Sequence, residues 1–314
     1  MNLTRTEFFQ ELVSTGLKHR YGKKLTPKQI GPNKYLRSTA PAQMFLERKK
    51  IIDGGFVDHY LIAFWIFNMR ARSEGIEFWA RGATPSSIVC YCLGLTEIDP
   101  MKYGLHYSRF VNDQPPKFQF DVEKSRYDDF LRLAEDTLEA ELKANPNLDI
   151  QSVRESIMDN ITPVEYLSKK EERSLPKNID DELARYALTF PDTMDLYDEY
   201  ARRKKDGLWT KYGLKVDNIL APTCGIVVYQ EQMLDILCQI FHVNSSKANN
   251  IRLSIQREDT EQVEAYKKEI FSNLDNITEK KAELIWQILT SNPRAFLKAH
   301  AVSHVLATYR YAMK

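Results

Sequence analysis

The sequence predicts an α+β chain that is predominantly α, with a mixed first part and a helical second part. Three observations carry this. Apolar residues recur at helical spacing over most of the chain, with amphipathic runs at Tyr127–Ala144 and Tyr229–Val243. Strand-like alternation is confined to short early segments, Ile76–Ala80 and Phe118–Val122. At 314 residues, 43% hydrophobic and 28% charged, the chain has an ordinary globular composition and the length for about two domains.

The elements follow in order. Thr4 with Glu7 makes a capping-box pattern, opening a helix through Phe8, Phe9, Leu12, Val13 and Leu17 that Gly22 stops. Lys23–Pro41 reads as loop, punctuated by Pro27, Gly31 and Pro32. Met44–Ile52 and Val57–Arg72 read as two helices broken at Asp53-Gly54-Gly55, the second apolar nearly all round and therefore buried. Ile76–Ala80 is a short strand, Ser86–Leu95 a buried helix, Asn112–Pro116 a turn and Phe118–Val122 a second strand. Tyr127–Ala144 is a helix ended by Asn145-Pro146, Ile150–Ile161 another, and Pro163–Pro176 a polar linker. From Ile179 onward the pattern is helical except for Thr210–Thr223, and Thr278 caps a helix to Leu289.

Lys and Arg number 44 against 43 Asp and Glu, a net charge of +1. A near-neutral total neither marks nor excludes a nucleic-acid binder, because a local patch suffices. Cys90, Cys92, Cys224 and Cys238 form no C-x-x-C pair and no zinc spacing, so free buried thiols are expected. The start, MNLTRTEFFQEL, lacks the apolar stretch of a signal peptide, and Tyr60–Phe67 is too short to span a bilayer. A cytoplasmic location without membrane contact is the expectation.

Five segments carry a resemblance. LGLTEIDPMKYGL, RFVN and FDVE come first, then GIVVYQEQM at Gly225–Met233 and AFLKAHAVSHVLATY at Ala295–Tyr309. In this order they resemble the bacterial DNA polymerase III alpha subunit, a C-family replicative polymerase. The resemblance implies a palm-like mixed domain over 1–125 with a reduced nucleotidyltransferase-type sheet, a helical replacement of the thumb over 126–178, and a helical fingers-like domain over 179–314. It also implies contact with DNA, dNTP and other replication proteins.

Nucleotidyl transfer uses two divalent metals, Mg²⁺ for this family, held by carboxylates. The family places two aspartates at alternate positions of one strand in a D-F-D-V-D context, so that both face one way. Here the text is Phe118-Gln119-Phe120-Asp121-Val122-Glu123. Matching F-D-V-E to F-D-V-D puts Gln119 on the first catalytic aspartate and Asp121 on the second; a second register puts Lys117 and Gln119 there. Either way one carboxylate is missing. Asp121 and Glu123 remain as catalytic and metal candidates, with two solvated acids on a sheet edge as the other reading. Asp129-Phe130-Leu131-Arg132-Leu133 resembles the run of the third aspartate, but it lies inside a convincing helix, so Asp129 reads as an ordinary helix residue.

The family's phosphate loop, G-P-G-R-G-S, corresponds to Phe78-Trp79-Ala80-Arg81-Gly82-Ala83. Arg81 and Gly82, with Ser86 and Ser87 near a helix start, are candidate nucleotide contacts; the alternative is that Arg81 pairs with a structural carboxylate such as Glu97 or Asp99. In the fingers-like part Arg252, Arg257, Lys298 and His300 match basic positions of the family. Tyr229-Gln230-Glu231-Gln232 is intact and reads as a packing and hydrogen-bonding element. Arg202–Lys205 is either a further DNA contact or a solvated helix face.

Three functional readings follow. The first is a polymerase-like protein with impaired catalysis that keeps a DNA- or nucleotide-binding scaffold. The second is an active minimal polymerase using Asp121 with Glu123, or with carboxylates of a partner chain, and requiring Mg²⁺. The third is a structural or regulatory module without a nucleic-acid role.

Overall fold

A computed structural model describes residues 3–22, 40–168, 178–275 and 277–311. Most of the expected loop Lys23–Pro41 and residues 169–176 of the expected linker lie outside them. The chain divides into two units. The described residues up to 168, with 302–311, form one; residues 178–301 belong to the other.

In the first unit, α1 (Arg5–Tyr21) opens on the expected capping box: the Glu7 N–H donates to Thr4 Oγ1 at 3.2 Å, and the Thr4 N–H donates to Glu7 at 2.8 Å. Phe9, Val13 and Leu17 recur every four residues and are buried. α2 (Ala40–Asp53) and α3 (Val57–Ala63) follow. The expected single helix Val57–Arg72 instead changes to π-helical winding over Phe64–Ala71. That stretch brings Phe67 onto Phe120, with ring centroids 3.9 Å apart.

The expected helix Ser86–Leu95 is shorter: a 3₁₀ turn at Thr84–Ser86, then α4 (Ile88–Cys92), after which Gly94 takes a left-handed φ of 69°. α5 is Pro100–Tyr103, α6 is Tyr127–Ala144 and α7 is Ile150–Met158.

The sheet has three strands in the order β1 (Phe78–Ala80), β2 (Phe120–Glu123), β3 (Ile161–Val164). β1 is antiparallel to β2, with Trp79 opposite Asp121; β3 is parallel to β2, with Thr162 opposite Asp121. β3 replaces the end of an expected helix and the start of an expected linker. Pro163, which argues against a strand, is tolerated because β3 is an edge. Phe120 and Val122 point into a core with Phe67, Phe110, Phe118 and Phe130, all at most 4% exposed. Period two therefore turns Asp121 and Glu123 to the opposite face.

The second unit is helical: α8 (Ile179–Ala187), α9 (Tyr197–Asp206), α10 (Leu214–Leu220), α11 (Gln230–Gln239), α12 (Ser245–Gln256), α13 (Thr260–Phe271) and α14 (Glu279–Thr290). α15 (Lys298–Arg310) begins among its residues and ends among those of the first unit. The core gathers Leu220, Met233, Leu237, Ile251, Ile285 and Trp286. α10 lies within the stretch expected to be non-helical; it is short and follows Gly213, so no full period was visible.

Candidate active site

The polar face of the sheet in the first unit carries Asp121 and Glu123, with Gln119 one residue before β2. Cross-strand pairing builds it row by row: Trp79, Asp121 and Thr162 lie side by side. The row below is extended by backbone contacts, with the Arg81 N–H donating to the Gln119 carbonyl at 2.9 Å and the Phe120 N–H to the Asn160 carbonyl at 3.1 Å.

Asp121 is half-buried and engaged on both oxygens. Arg81 Nε lies 2.9 Å from Oδ1, an ion-pair contact, and the Tyr166 hydroxyl donates to Oδ2 at 2.6 Å. Arg81 also donates from Nη2 to Thr162 Oγ1 at 2.7 Å. Burial pushes the Asp121 carboxyl above its ordinary range, more strongly than the Tyr166 hydrogen bond and the Arg81 charge pull it down. Tyr166 packs against Tyr311, and Trp79 donates its indole N–H to Ser303 Oγ at 2.9 Å. The end of α15 thus covers the Trp79 side of this face, and Arg310 lies over the Trp79 ring.

Gln119, at the position of the expected first aspartate, is tied to the loop before it. Its side-chain carbonyl accepts the Ala83 N–H at 3.3 Å, and its own N–H donates to Thr84 Oγ1 at 2.9 Å. Gly82 makes this possible. Its φ of 57° is left-handed, and a Cβ there would fall 1.5 Å from Gln119 Oε1. Glu123, at the end of the central strand, accepts from the Ser125 hydroxyl.

These residues do not fit a two-metal centre. Gln119 is neutral, both oxygens of Asp121 have partners, and no group of three His, Cys, Asp or Glu side chains is placed to hold a metal among the described residues. Asp129 sits on α6, paired with Arg126 at 2.8 Å and with Arg132.

Ser86 and Ser87 are fully buried. The group at the start of α4 is the protein's own carboxyl: Glu47 on α2 accepts the Ser87 hydroxyl at 2.7 Å, the Ile88 N–H at 3.1 Å and the Val89 N–H at 3.2 Å. Burial raises Glu47 to about 7 despite those hydrogen bonds. Arg81 is paired, as one reading expected, but with Asp121; Glu97 takes Arg20 and Arg72 instead, and Asp99 accepts from Tyr21.

Sequence reasoning missed Glu47, Thr162 and Tyr166. Glu47 had a signal, since it falls in core register between Met44 and Ile51. Tyr166 and Thr162 had none, because only the pairing of β3 brings them to Asp121.

In the second unit the basic candidates are dispersed. Arg252 is 2% exposed and donates to Asn249 and Gln256 on its own helix. Arg257 is exposed. His300 lies against Tyr186 and Phe296. The Lys298 N–H donates to buried Glu231 at 2.8 Å, which caps α15. Gln232 accepts the Val228 and Tyr229 N–H groups, both at 2.9 Å, so Tyr229–Gln232 packs as expected. Arg202 and Arg203 pair with Glu199, and Lys204 with Asp181.

The site belongs to a helical α+β protein with a small acidic-faced sheet. Residues 7–145 match the bacterial DNA polymerase III alpha NTPase domain, and residues 168–277 match the bacterial DNA polymerase III alpha subunit finger domain. The chain belongs to the bacterial DNA polymerase III alpha family. The error-prone DNA polymerase of Sinorhizobium medicae is 33% identical over 132 residues, which is 41% of this chain and 11% of that protein. That of Anaeromyxobacter sp. is 31% identical over 133 residues, again 41% and 11%. That of Teredinibacter turnerae is 28% identical over 134 residues, 37% of this chain and 13% of the relative. The chain therefore spans about a tenth of the length of these relatives.

Proposed function

We propose that this chain is a DNA polymerase III alpha-like protein whose catalysis is impaired, a pseudoenzyme that keeps a DNA- and nucleotide-binding scaffold for replication in the cytoplasm. The observation that carries this reading is the closed triad of Arg81, Asp121 and Tyr166. The one carboxylate matched to a catalytic aspartate neutralises the arginine matched to the phosphate loop. Each group that polymerisation would direct at a ligand is directed at the other. The neighbouring Gln119 supplies no charge, and a missing bridging carboxylate removes several kcal/mol of transition-state stabilisation, which is orders of magnitude in rate.

The test is primer extension on a primed template with Mg²⁺ and then Mn²⁺, beside Asp121→Asn. No extension by the folded chain under either metal agrees with the reading. Extension that Asp121→Asn abolishes would make the chain a working polymerase with an altered metal site, in which Asp121 and Glu123 on one strand face hold the metal.

A further inference from the structure

If the chain is a nucleic-acid scaffold, the basic residues matched to the family do not supply an obvious surface for it. Arg81, Arg202, Arg203 and Lys204 face carboxylates, and Arg252 is buried. A different surface of the helical unit does. Two cavities of about 450 and 500 Å³ adjoin there, sharing Tyr212 and Lys281 in their walls. The first lies between the segment leading into α10, the end of α11 and the start of α14; the second lies between Thr210–Tyr212 and the length of α14 as far as Ser291.

Three exposed lysines line them: Lys211, Lys215 and Lys281. Lys211 and Lys281 have no carboxylate partner among the described residues. Lys211 Nζ instead sits 3.1 Å from the centroid of the Trp209 ring. One carboxylate, Asp275, lines the first cavity. Asp217 on α10 is occupied by the Tyr212 N–H at 2.7 Å. α14 opens beside the first cavity with Glu279 in its first turn and an N-cap Thr278 that makes no side-chain cap bond among the described residues. Ile240 lines the first cavity and Ile288 the second, and Tyr212 lines both.

We propose that this groove binds single-stranded DNA, with phosphates at Lys211, Lys215 and Lys281 and a base against Tyr212. Cationic side chains interleaved with an aromatic ring and apolar neighbours are what a strand with unpaired bases requires. The lysines take the backbone, and the ring offers a stacking face that duplex DNA cannot use. This rests on the DNA-scaffold reading above and places the contact away from the sheet.

The test is fluorescence anisotropy of fluorescein-labelled dT15 against the full chain, over a salt series. The variants are K211S/K281S and, as a single-lysine control away from the groove, Lys143→Ser on α6. Circular dichroism checks that each is folded. The expected result is binding that weakens with salt, about tenfold weaker in K211S/K281S at low salt, with the log–log salt slope smaller by about 1.4 for two lost phosphate contacts. The Lys143→Ser chain should match the wild type. Binding of dT15 that K211S/K281S leaves unchanged would overturn the groove and spare the scaffold reading. No binding of dT15 or of a primed duplex by the wild type would overturn both. Labelled polyglutamate binding the groove more tightly than dT15 would make it an acidic-peptide surface and overturn the proposal.

Discussion

Arg81 Nε lies 2.9 Å from Asp121 Oδ1, with the two side chains 26% and 13% exposed. The contact joins residues 40 positions apart, and strand pairing explains it. Arg81 extends β1 by one residue, its N–H meeting the Gln119 carbonyl, so its side chain falls on the face that carries Asp121.

That arrangement makes the two partners unequal. Arg81→Ala should leave a half-buried carboxylate without its cation and cost about 1–3 kcal/mol at pH 7. Asp121→Asn should cost less, since Asn still accepts from Tyr166 and carries no charge to desolvate. The sign of the pH effect follows from the raised carboxyl. The native state holds the Asp121 proton more tightly than the unfolded chain, so its contribution to stability falls as pH rises from the ordinary aspartate range. The loss in Arg81→Ala should therefore be larger at pH 7 than at pH 4.5. Urea titrations of both variants at the two pH values check this; a smaller loss in Arg81→Ala than in Asp121→Asn would mean the pair is not the contact that holds this face.

Much of the fold was legible in the sequence, because long periodic elements announce themselves. The helix Tyr127–Ala144 runs to the residue before Asn145, and the Thr4–Glu7 box closes as its spacing implies. What escaped was short or non-local. β3 has four residues, includes a proline and is only half-buried, so it has no period to detect. The site was half legible. The missing aspartate at Gln119 and the survival of Arg81 could be read directly, but the partner of Arg81 could not. Glu97 and Asp99 were the expected carboxylates, and which carboxylate an arginine meets depends on sheet register.

Glu47 supplies a pH prediction. It is fully buried and raised to about 7, against about 4.3 for an unperturbed glutamate. The native state binds its proton more tightly, so stability falls as pH rises through that window and levels off above about 7. Between pH 5 and 8 the wild type should lose roughly 2–3 kcal/mol from this group. Glu47→Gln should be less stable at pH 5, because its amide N–H₂ meets donors at the start of α4, yet should lose little more on going to pH 8. A constant gap between the two chains across the series would show that Glu47 does not titrate there.

Gly16 on α1 packs directly on the backbone of α4, where a Cβ would come within 2.0 Å of the Cys92 carbonyl oxygen. Backbone cannot rotate aside as a side chain does, so the two helices must separate. Gly16→Ala should destabilise by about 1–3 kcal/mol although alanine is the better helix former. Thermal denaturation reads this directly, and an unchanged or raised midpoint would mean the helices separate at no cost.

Gly82 offers the sharper test of how the loop and β2 are joined. An alanine there meets two separate obstacles. One is its own backbone, since a left-handed φ costs a residue with a Cβ about 1–2 kcal/mol. The other is Gln119, whose Oε1 occupies the space the methyl would need and must give up the Ala83 N–H to leave it. The first penalty is independent of residue 119; the second is not. Gly82→Ala alone should therefore cost about 2–3 kcal/mol, while in a Gln119→Ala background it should cost only the backbone part, a coupling of about 1 kcal/mol. Chemical denaturation of the four chains of the cycle measures it. Additive effects would mean that Gln119 is free to swing away, and that the loop does not depend on its carbonyl.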